Sequence, residues 1–444
     1  MSYVDEVLEV IAEKNPNEPE FCQAVKECLN AVRPLVDANE EIYRENAILE
    51  RITEPDRMIV FSVPWIDRNG KVQINRGWRV QFNNAIGTYK GGLRFHRTVN
   101  TSVMKCLAFE MILKNSLTGL PMGGAKGGSD FEPKGKTDRE VMSFCQSYMN
   151  ELFKYIGVNM DCPTGDIGVG GREIGYLFGQ YKKLTSSFEG SLSGKGISFG
   201  GSEVRTEATG YGLAYMVSEI CTANRKAVEG KTVTVTGAGN VALCASEKLQ
   251  QMGAKIVAMS DSGGYIHDPA GIRLDVIRQV KTAEHRSLSE YAGRVEGSVY
   301  TEGKGIWNIP CDIYLPCATQ YEISVEAAKT LVDNGVFLVA EGANLPTHPK
   351  AVEYFQKHEV LFMPGKAASA GGVSVSGLEQ TQNAQRLPWS FEEVDEKLKE
   401  IMHGIFVRID ECAKKYGVEK NYLAGANIYA VERVAGAMIA QGIT

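Results

Sequence analysis

The chain has 444 residues, of which 43% are hydrophobic and 23% are charged, and its formal net charge is −6 at pH 7. This length exceeds what one ordinary hydrophobic core supports, so we expect at least two domains of a globular protein. The negative charge argues against binding to nucleic acid or acidic membranes. The sequence also lacks the roughly 20 consecutive apolar residues of a membrane helix.

The N-terminus and the cysteines indicate the compartment, and the histidines bear on metal binding. The first residues carry acids and no apolar run, which is unlike a signal peptide. The ten cysteines are scattered without a Cys-x-x-Cys pair, as is typical of reduced core thiols in a cytoplasmic protein. The six histidines show no metal-ligand spacing, so we expect no metal site.

The N-terminal region alternates helical and extended patterns. Spacings of three and four among its apolar residues predict a helix over 18–39. Apolar runs on either side of a turn predict strands between 57 and 82. Further helices are predicted over 101–118 and 138–156.

Three lysines stand among glycines between residues 90 and 128, with few acids nearby. Lys90 precedes a glycine pair, and Lys126 lies between two glycine pairs. Because glycine lets a backbone approach a ligand closely, the pattern predicts a concave site in which ammonium groups face a small anion. Lys114 taken alone is more typical of a solvated surface residue. A desolvated lysine beside another cation loses its proton near neutral pH and can act as a base.

Two glycine-rich segments follow. The first, 161–171, contains Asp166 and is consistent with ordinary turn chemistry. Downstream of three lysines, however, we interpret Asp166 as a proton-transfer partner. The second, 190–201, is rich in serine and glycine, and we interpret it as the linker between domains.

A dinucleotide-binding unit is predicted from residue 232 onward. A β-branched strand over 232–236 is followed by Gly237-Ala238-Gly239-Asn240, a helix to 252 and a second strand that ends at Asp261. The first glycine makes the turn, the second lets the backbone approach a pyrophosphate, and the helix N-terminus supplies free N–H groups. The alternative is a βαβ unit that binds no nucleotide.

The remaining patterns predict the rest of the fold. Strands at 311–315 and 336–340, with a helix at 324–334, indicate a parallel, doubly wound sheet whose crevice lies near 316–320 and 341–344. Ser390 and Glu393 form a predicted capping box that opens the C-terminal helices, and 369–377 is predicted to be a ligand-facing turn. We therefore expect an α/β fold of two domains: 1–199 binds the substrate, 200–375 is a Rossmann-type dinucleotide-binding domain, and the helical segment 376–444 returns to the first domain.

Five motifs carry a resemblance to a known family. They are Tyr89-Lys90-Gly91-Gly92-Leu93-Arg94-Phe95, Leu120-Pro121-Met122-Gly123-Gly124-Ala125-Lys126-Gly127-Gly128, Gly165-Asp166-Ile167-Gly168-Val169-Gly170, Gly237-Ala238-Gly239-Asn240-Val241-Ala242 and Gly371-Gly372-Val373-Ser374-Val375-Ser376-Gly377. From about residue 18 to the C-terminus the chain resembles the hexameric glutamate dehydrogenases of the microbial type. The resemblance implies a homohexamer that converts L-glutamate to 2-oxoglutarate and ammonium with NAD(P).

The resemblance also implies a role for each site residue. Lys90 and Ser376 would hold the side-chain carboxylate of the substrate, and Lys114 would hold the α-carboxylate. Lys126 would activate the attacking water, and Asp166 would carry protons to and from the nitrogen. Further substrate contacts are assigned to Gly91, Arg205 and Val373. Cofactor contacts are assigned to Gly237, Gly239, Asn240, Val241, Asp261, Ser262, Thr209, Asn344, Arg94, Lys134, Lys136 and Lys281.

Some positions depart from the family pattern. Met111, Thr206 and the pair Cys162 and Thr164 replace residues that are common there, which affects the α-carboxylate contacts and the stiffness of the hinge. Two alternatives stay open: a dehydrogenase of leucine, valine or phenylalanine, and a module that senses dinucleotide without catalysis. Relatives of the first kind carry an apolar residue where Lys90 stands, and the second would not need three lysines with Asp166.

The cofactor preference is predicted to be NADP ahead of NAD. An acid that ends the second strand, here Asp261, usually accepts from the ribose 2′-hydroxyl of NAD and repels a 2′-phosphate. The sequence Ser260-Asp261-Ser262-Gly263 nevertheless resembles the NADP-using members. Ser262 and the lysines at 134, 136 and 281 are the candidate phosphate contacts, and use of both cofactors is the alternative.

Overall fold

The structure, a computed structural model, describes residues 2–443 and divides the chain into two compact units. Unit 1 comprises Met1–Arg205, Ser374–Val394 and Asn427–Thr444, and unit 2 comprises Thr206–Val373 and Asp395–Ala426. The first division falls after residue 205, whereas the sequence placed it at 199. Of the C-terminal segment expected to return to the first domain, 395–426 belongs to unit 2.

The segment before residue 206 holds the first helices and strands. Its helices are α1 (Tyr3–Lys14), α2 (Pro19–Ala31), α3 (Arg33–Ala38), α4 (Glu40–Glu45), α5 (Ile48–Ile52), α6 (Thr101–Leu117), α7 (Asp138–Leu152) and α8 (Gly171–Thr185). Its strands are β1 (Arg57–Ile66), β2 (Val72–Asn83), β3 (Tyr89–Phe95), β4 (Gly124–Ser129) and β5 (Asp161–Gly165). Short 3₁₀ turns lie at Phe153–Tyr155 and Ile197–Phe199.

The helix predicted over 18–39 is interrupted, and its place is taken by α2 and α3. Pro34 lies in the first turn of α3, where its missing N–H costs nothing, but it could not continue a helix from α2 without a clash. The predicted apolar stripe is nevertheless buried, because Val25, Leu29 and Val32 are all 0% exposed.

A five-stranded mixed sheet forms the centre of unit 1, in the order β1-β2-β4-β3-β5. β1 pairs with β2 and β2 with β4 in antiparallel fashion, whereas β3 is parallel to both β4 and β5. Lys90 lies on β3, Lys126 on β4, and Asp166 follows the last residue of β5. Neighbouring strands therefore carry three of the predicted site residues.

Unit 2 is built on the following segment. Its helices are α9 (Ala208–Ala223), α10 (Asn240–Gln251), α11 (Leu274–Arg278), α12 (Ser289–Ala292), α13 (Val325–Asp333), α14 (Pro349–Lys357) and α15 (Gly365–Ala368). Its strands are β6 (Thr232–Thr236), β7 (Lys255–Ser260), β8 (Gly264–His267), β9 (Val299–Glu302), β10 (Ile313–Pro316), β11 (Leu338–Ala340) and β12 (Leu361–Met363). The chain has π-helical geometry at Gln279–Ala283 and a 3₁₀ turn at Ile306–Asn308.

These strands form one seven-stranded sheet in the order β12-β11-β10-β6-β7-β8-β9. The strands from β12 to β7 are parallel, as predicted, and β8 and β9 extend the sheet in antiparallel fashion. The predicted strands are thus parallel, and the two antiparallel strands at this edge are additional to those predicted from the sequence. β7 and β8 are separated by only a short turn, and a parallel strand would need a crossover of a dozen or more residues.

Three helices complete the chain: α16 (Gly371–Gln385), α17 (Phe391–Lys415) and α18 (Tyr422–Gln441). The turn predicted at 369–377 is wrong, because α16 begins at Gly371. A Cβ atom at this glycine would lie 2.0 Å from the carbonyl oxygen of Ala208, so the glycine serves close packing on α9. The capping box is confirmed, since Ser390 and Glu393 exchange hydrogen bonds of 2.7 and 3.2 Å. Within 2–443, no helix combines the length and apolar character needed to cross a membrane.

Candidate active site

Lys126, Asp166 and Arg94 form a charged cluster in unit 1. The Lys126 Nζ lies 2.9 Å from Oδ2 of Asp166, and the Arg94 Nε donates to the same oxygen at 2.8 Å. The three side chains are only 7%, 18% and 15% exposed, respectively. Arg94, which the sequence assigned to the cofactor, therefore contacts the predicted proton carrier in this structure.

Glycines make this close approach possible. A Cβ atom at Gly92 would lie 2.8 Å from the Asp166 Cβ and 3.3 Å from the Lys126 Nζ, so any side chain there would disturb the pair. At Gly124 a Cβ atom would lie 2.4 Å from the side chain of Ile112, so this glycine lets α6 pack directly on β4. Because α6 carries Lys114, the packing sets the position of the third lysine.

Burial lowers the pKa of all three lysines. Desolvation is the main cause, and it brings the pKa of Lys90 and of Lys114 to about 8. The charge of Lys126 acts in the same direction on Lys114. The pKa of Lys126 is also lowered, by desolvation against the opposing effect of Asp166. Burial, more than the clustering predicted from the sequence, therefore makes these ammonium groups lose protons more readily than ordinary lysines do.

Asp166 stays ionised in this cluster. Burial acts to raise the pKa of its carboxyl group, but the charges of Lys126 and Arg94 outweigh burial and hold the pKa at about 2. The carboxylate is therefore an acceptor at neutral pH, and the lysine beside it is the group whose proton can be lost.

Lys90 ends in a closed polar pocket. Its Nζ, which is fully buried, donates to the Ser193 Oγ at 2.6 Å and to the carbonyl oxygen of Cys162 at 3.0 Å. The Ser193 Oγ lies 2.5 Å from the Ser376 Oγ. Lys90 and Ser376, which the resemblance paired, thus meet through a serine that the sequence reasoning missed.

The linker predicted at 190–201 is wrong. Ser191, Ser193 and Lys195 are buried, and the segment belongs to unit 1. Its serine and glycine content suits a loop that enters a polar pocket, which composition alone cannot distinguish from a solvated linker. Gly194-Lys195-Gly196 repeats the pattern of a lysine among glycines that singled out Lys126, and it is the signal that could have revealed this loop.

Other predicted substrate contacts have clear structural roles. The Arg205 Nη2 donates to the Thr164 Oγ1 at 3.4 Å, and the Arg205 Nε is a buried donor without a hydrogen-bond partner among the described residues. Val373 is 8% exposed near the start of α16. Gly91 is required by packing, because a Cβ atom there would lie 1.6 Å from the Ala125 carbonyl oxygen. The Cγ atom of Met111 would lie 3.4 Å from the same Cβ atom.

Lys114, the predicted contact of the α-carboxylate, is partly exposed.

In unit 2 the predicted turn between strand and helix is present. Gly237 has a φ of 85°, which favours glycine, and its N–H donates to the Ser260 Oγ at 3.0 Å. A Cβ atom at Gly239 would meet nothing within 4 Å, and no side chain caps the N-terminus of α10 at this residue. The N–H groups of Asn240 and Val241 open this helix, so the turn offers a cradle for a diphosphate.

Asp261 is already occupied by protein donors. Its Oδ2 accepts from the Lys281 Nζ at 2.8 Å and from the Leu288 N–H at 3.0 Å, and its Oδ1 accepts from the Gly263 N–H at 2.9 Å. Burial acts to raise the pKa of Asp261, but the ion pair with Lys281 and the backbone donors lower it. The negative charge that would repel a 2′-phosphate is therefore paired.

The remaining predicted cofactor residues are spread over the two units. Ser262 is exposed beside Asp261, and Thr209 and Asn344 lie in unit 2, in α9 and after β11. Lys134 and Lys136 are exposed residues of unit 1. Lys134 lines a pocket of about 480 Å³ that also includes Asp166, and the Lys136 Nζ lies 5.5 Å from the ring centre of Trp65.

The cysteines and possible metal ligands add no further chemistry. All ten cysteines are unbridged, and seven of them are buried. Burial raises the pKa of the Cys162 thiol, which makes it a poor nucleophile. Among residues 2–443, no group of three His, Cys, Asp or Glu side chains is arranged to hold a metal ion.

Comparison with known proteins gives the family. The model described as "Glutamate/Leucine/Phenylalanine/Valine dehydrogenase" matches residues 200–442, and the one described as "Glu/Leu/Phe/Val dehydrogenase, dimerisation domain" matches residues 55–183. An NADP-specific glutamate dehydrogenase of Helicobacter pylori is 51% identical, over 99% of this chain and 100% of its own length. An NAD-specific glutamate dehydrogenase of Bacteroides fragilis is 48% identical over 99% of each chain. The crystal structure of Plasmodium falciparum glutamate dehydrogenase superposes with a TM-score of 0.97 at 47% identity, covering 99% of this chain and 95% of that one.

Proposed function

The chain belongs to the glutamate/leucine/phenylalanine/valine dehydrogenase family, and we propose that it catalyses the reversible oxidative deamination of L-glutamate with NADP. The products are 2-oxoglutarate, ammonium, NADPH and a proton. The observation that carries the proposal is the buried Lys90 ammonium in contact with Ser193, which lies 2.5 Å from Ser376. A buried cation and hydroxyl groups suit the carboxylate of an acidic side chain and would be poorly paired by an apolar one.

A second anchor suits the α-carboxylate. Lys114 lies near two other cations of unit 1, because the charges of Lys126 and of Arg205 both lower its pKa. The Arg205 Nε has no hydrogen-bond partner among the described residues, and a substrate carboxylate would supply one. Two separated cationic anchors explain selectivity for a dicarboxylic amino acid.

The chemistry assigned to this chain is proton transfer. Bound NADP would supply the acceptor for the hydride that leaves the substrate Cα, which would leave the substrate as an imine. Lys126, with its lowered pKa, takes a proton from the water that attacks the imino carbon. Asp166, which lies 2.9 Å from the lysine, accepts and returns protons as the nitrogen leaves as ammonia.

Unit 2 is proposed to bind the dinucleotide. The turn at Gly237 and the uncapped N-terminus of α10 fit the diphosphate, with Asn240 and Val241 as the first donors.

Thr209, Asn344 and Arg94 are proposed as further cofactor contacts, and Arg94 would act from its place beside Asp166. In unit 2, Lys281 neutralises Asp261 and, with Ser262, is proposed to favour the 2′-phosphate of NADP over the free hydroxyl of NAD. Lys134 and Lys136 of unit 1 stay predicted phosphate contacts.

Two alternatives differ in what they would do with these residues. A dehydrogenase of leucine, valine or phenylalanine would leave the Lys90 ammonium buried without a substrate partner. A non-catalytic sensor would have no use for the coupled Lys126 and Asp166. Neither alternative is favoured by a specific observation in the structure.

The test is a set of initial rates with glutamate, leucine, valine and phenylalanine, each with NADP+ and with NAD+. We expect glutamate to be the preferred substrate and kcat/KM to be higher with NADP+. Preference for an apolar amino acid would overturn the assignment of Lys90. A preference for NAD+ of about tenfold or more, roughly 1.4 kcal/mol, would show that Asp261 decides the cofactor despite its partner.

We further propose that the chain forms a homohexamer in the cytoplasm. β1 is an edge strand, and the hairpin of β1 and β2 exposes apolar side chains on one face. These are Met58, Val60, Ile66, Val72 and Ile74, at 42%, 51%, 56%, 67% and 72% exposure. An apolar face on an edge strand is suited to burial against a second copy of the chain. The hairpin also lies within the residues matched by the dimerisation-domain model.

A further inference from the structure

Lys195 and Glu379 form a buried ion pair behind the pocket of Lys90. The Lys195 Nζ lies 2.6 Å from the Glu379 Oε1, and the two side chains are 1% and 0% exposed. The same Nζ donates to the Leu192 carbonyl oxygen at 2.5 Å and to the Asn383 Oδ1 at 2.8 Å. The three protons of the ammonium therefore each have an acceptor.

The pair joins the loop 190–201 to α16. The Glu379 Oε2 accepts from the Gly194 N–H at 2.7 Å, directly after Ser193 in the chain. Ser376 lies one helical turn before Glu379 on α16, so both serines of the pocket are adjacent to the pair. The contact between Ser193 and Ser376 thus depends on where Glu379 holds the loop.

Glu379 also acts electrostatically on Lys90. Four titratable or charged groups act on Lys90. They are Cys162 on β5, Arg79 on β2, Glu379 on α16, and Arg205, which lies before α9. Glu379 is the carboxylate of this set, and its charge favours the protonated form of Lys90. Without a cation of its own, this carboxylate would compete with a substrate carboxylate for the ammonium of Lys90.

We propose that Lys195 is a positioning residue that neutralises Glu379 and so keeps Lys90 available for the side-chain carboxylate of the substrate. This inference rests on the proposed function, since it concerns the same pocket. It predicts an asymmetry between the two partners. Loss of Lys195 leaves a carboxylate free to attract Lys90, whereas loss of Glu379 leaves an additional cation, which does not compete with an anionic substrate.

The experiment compares K195M, E379Q, the double variant K195M/E379Q and the control K183M, in which an exposed lysine of α8 is changed in the same way. KM and kcat for glutamate are measured, and the affinity for glutarate is measured by calorimetry. K195M is expected to weaken both substrate and glutarate by at least about tenfold, roughly 1.4 kcal/mol, with a smaller effect on kcat. K183M is expected to match the wild-type affinities, and E379Q and the double variant are expected to weaken glutarate binding less than K195M does.

A purely structural pair would behave differently. Equal losses in K195M and E379Q that add in the double variant would overturn the proposal. If K195M does not fold, the double variant is compared with E379Q. Glutarate binding that is about tenfold weaker in the double variant than in E379Q would also overturn the proposal, because Lys195 would then matter without Glu379. Glutarate binding also separates this inference from the proposed function, because it probes the pocket without turnover. A wild-type enzyme that prefers another amino acid contradicts the function, whereas unchanged glutarate affinity in K195M contradicts the role of Lys195.

Discussion

Lys126 shares its immediate surroundings with one carboxylate and several cations, and this balance sets its proton affinity. Asp166 favours the charged form of the lysine, whereas Arg94 and Arg79 disfavour it. Lys114 is a further cation near Lys126, because the charge of Lys126 lowers the pKa of Lys114. A lysine that must be neutral to accept a proton is active only above its pKa, so these neighbours set the acid limb of the pH profile.

Removing Asp166 or Arg94 should therefore shift that limb in opposite directions. In D166N the pKa of Lys126 falls further, so the acid limb of kcat/KM for glutamate oxidation moves to lower pH. In R94M it moves to higher pH. D166N should also lose about 10²- to 10⁴-fold in kcat, because the proton carrier is gone. The measurement is the pH dependence of initial rates between pH 6 and 10.

The matched control is R97M, which removes an exposed arginine three residues from Arg94 and should leave the limb unchanged. A shift of both D166N and R94M in the same direction would show that another group controls the limb. K126A should abolish the limb together with most of the turnover, while binding of the dinucleotide to the protein persists.

At the scale of secondary structure elements, Glu341 connects the end of β11 to the start of α15. Its Oε2 accepts from the Gly365 N–H at 2.7 Å, and its Oε1 accepts from the Thr347 N–H at 3.3 Å. Burial raises the pKa of this carboxyl group to about 7, although the backbone donors and Lys366 oppose the shift. The folded state therefore disfavours the ionised form.

This shift has a defined sign for stability. A carboxyl group with a raised pKa contributes stability that is fully present below its ordinary pKa and is lost as the pH rises through about 7. The unfolding free energy should fall between pH 5 and pH 8 by roughly 2 kcal/mol more in the wild type than in E341Q. Urea unfolding at the two pH values measures the difference. E353Q, at an exposed glutamate of α14, is the control, and an identical fall in E341Q and wild type would contradict the assignment.

At the scale of the whole molecule, the exposed hairpin of β1 and β2 is the surface that we propose for assembly of the hexamer. An aspartate in place of Ile74, which is 72% exposed, would place a charge in an interface that excludes water. We expect light scattering to show an oligomer for the wild type and a smaller species for I74D. I443D changes an isoleucine that is 88% exposed and lies outside the hairpin, and it should assemble like the wild type. Equal masses for all three proteins would mean that the hairpin is not an interface.

Short-range patterns in the sequence determined much of this protein. The turn at Gly237, the capping box of Ser390 and Glu393, and the lysines among glycines depend on residues close together in the chain, where one backbone conformation or one helical turn decides the outcome. The tertiary structure alone decided the partners. Lys90 and Ser193 are 103 residues apart and Lys195 and Glu379 are 184 apart, so strand order and helix packing, which no local pattern encodes, bring them into contact. The same holds for Arg94, which β3 directs onto Asp166.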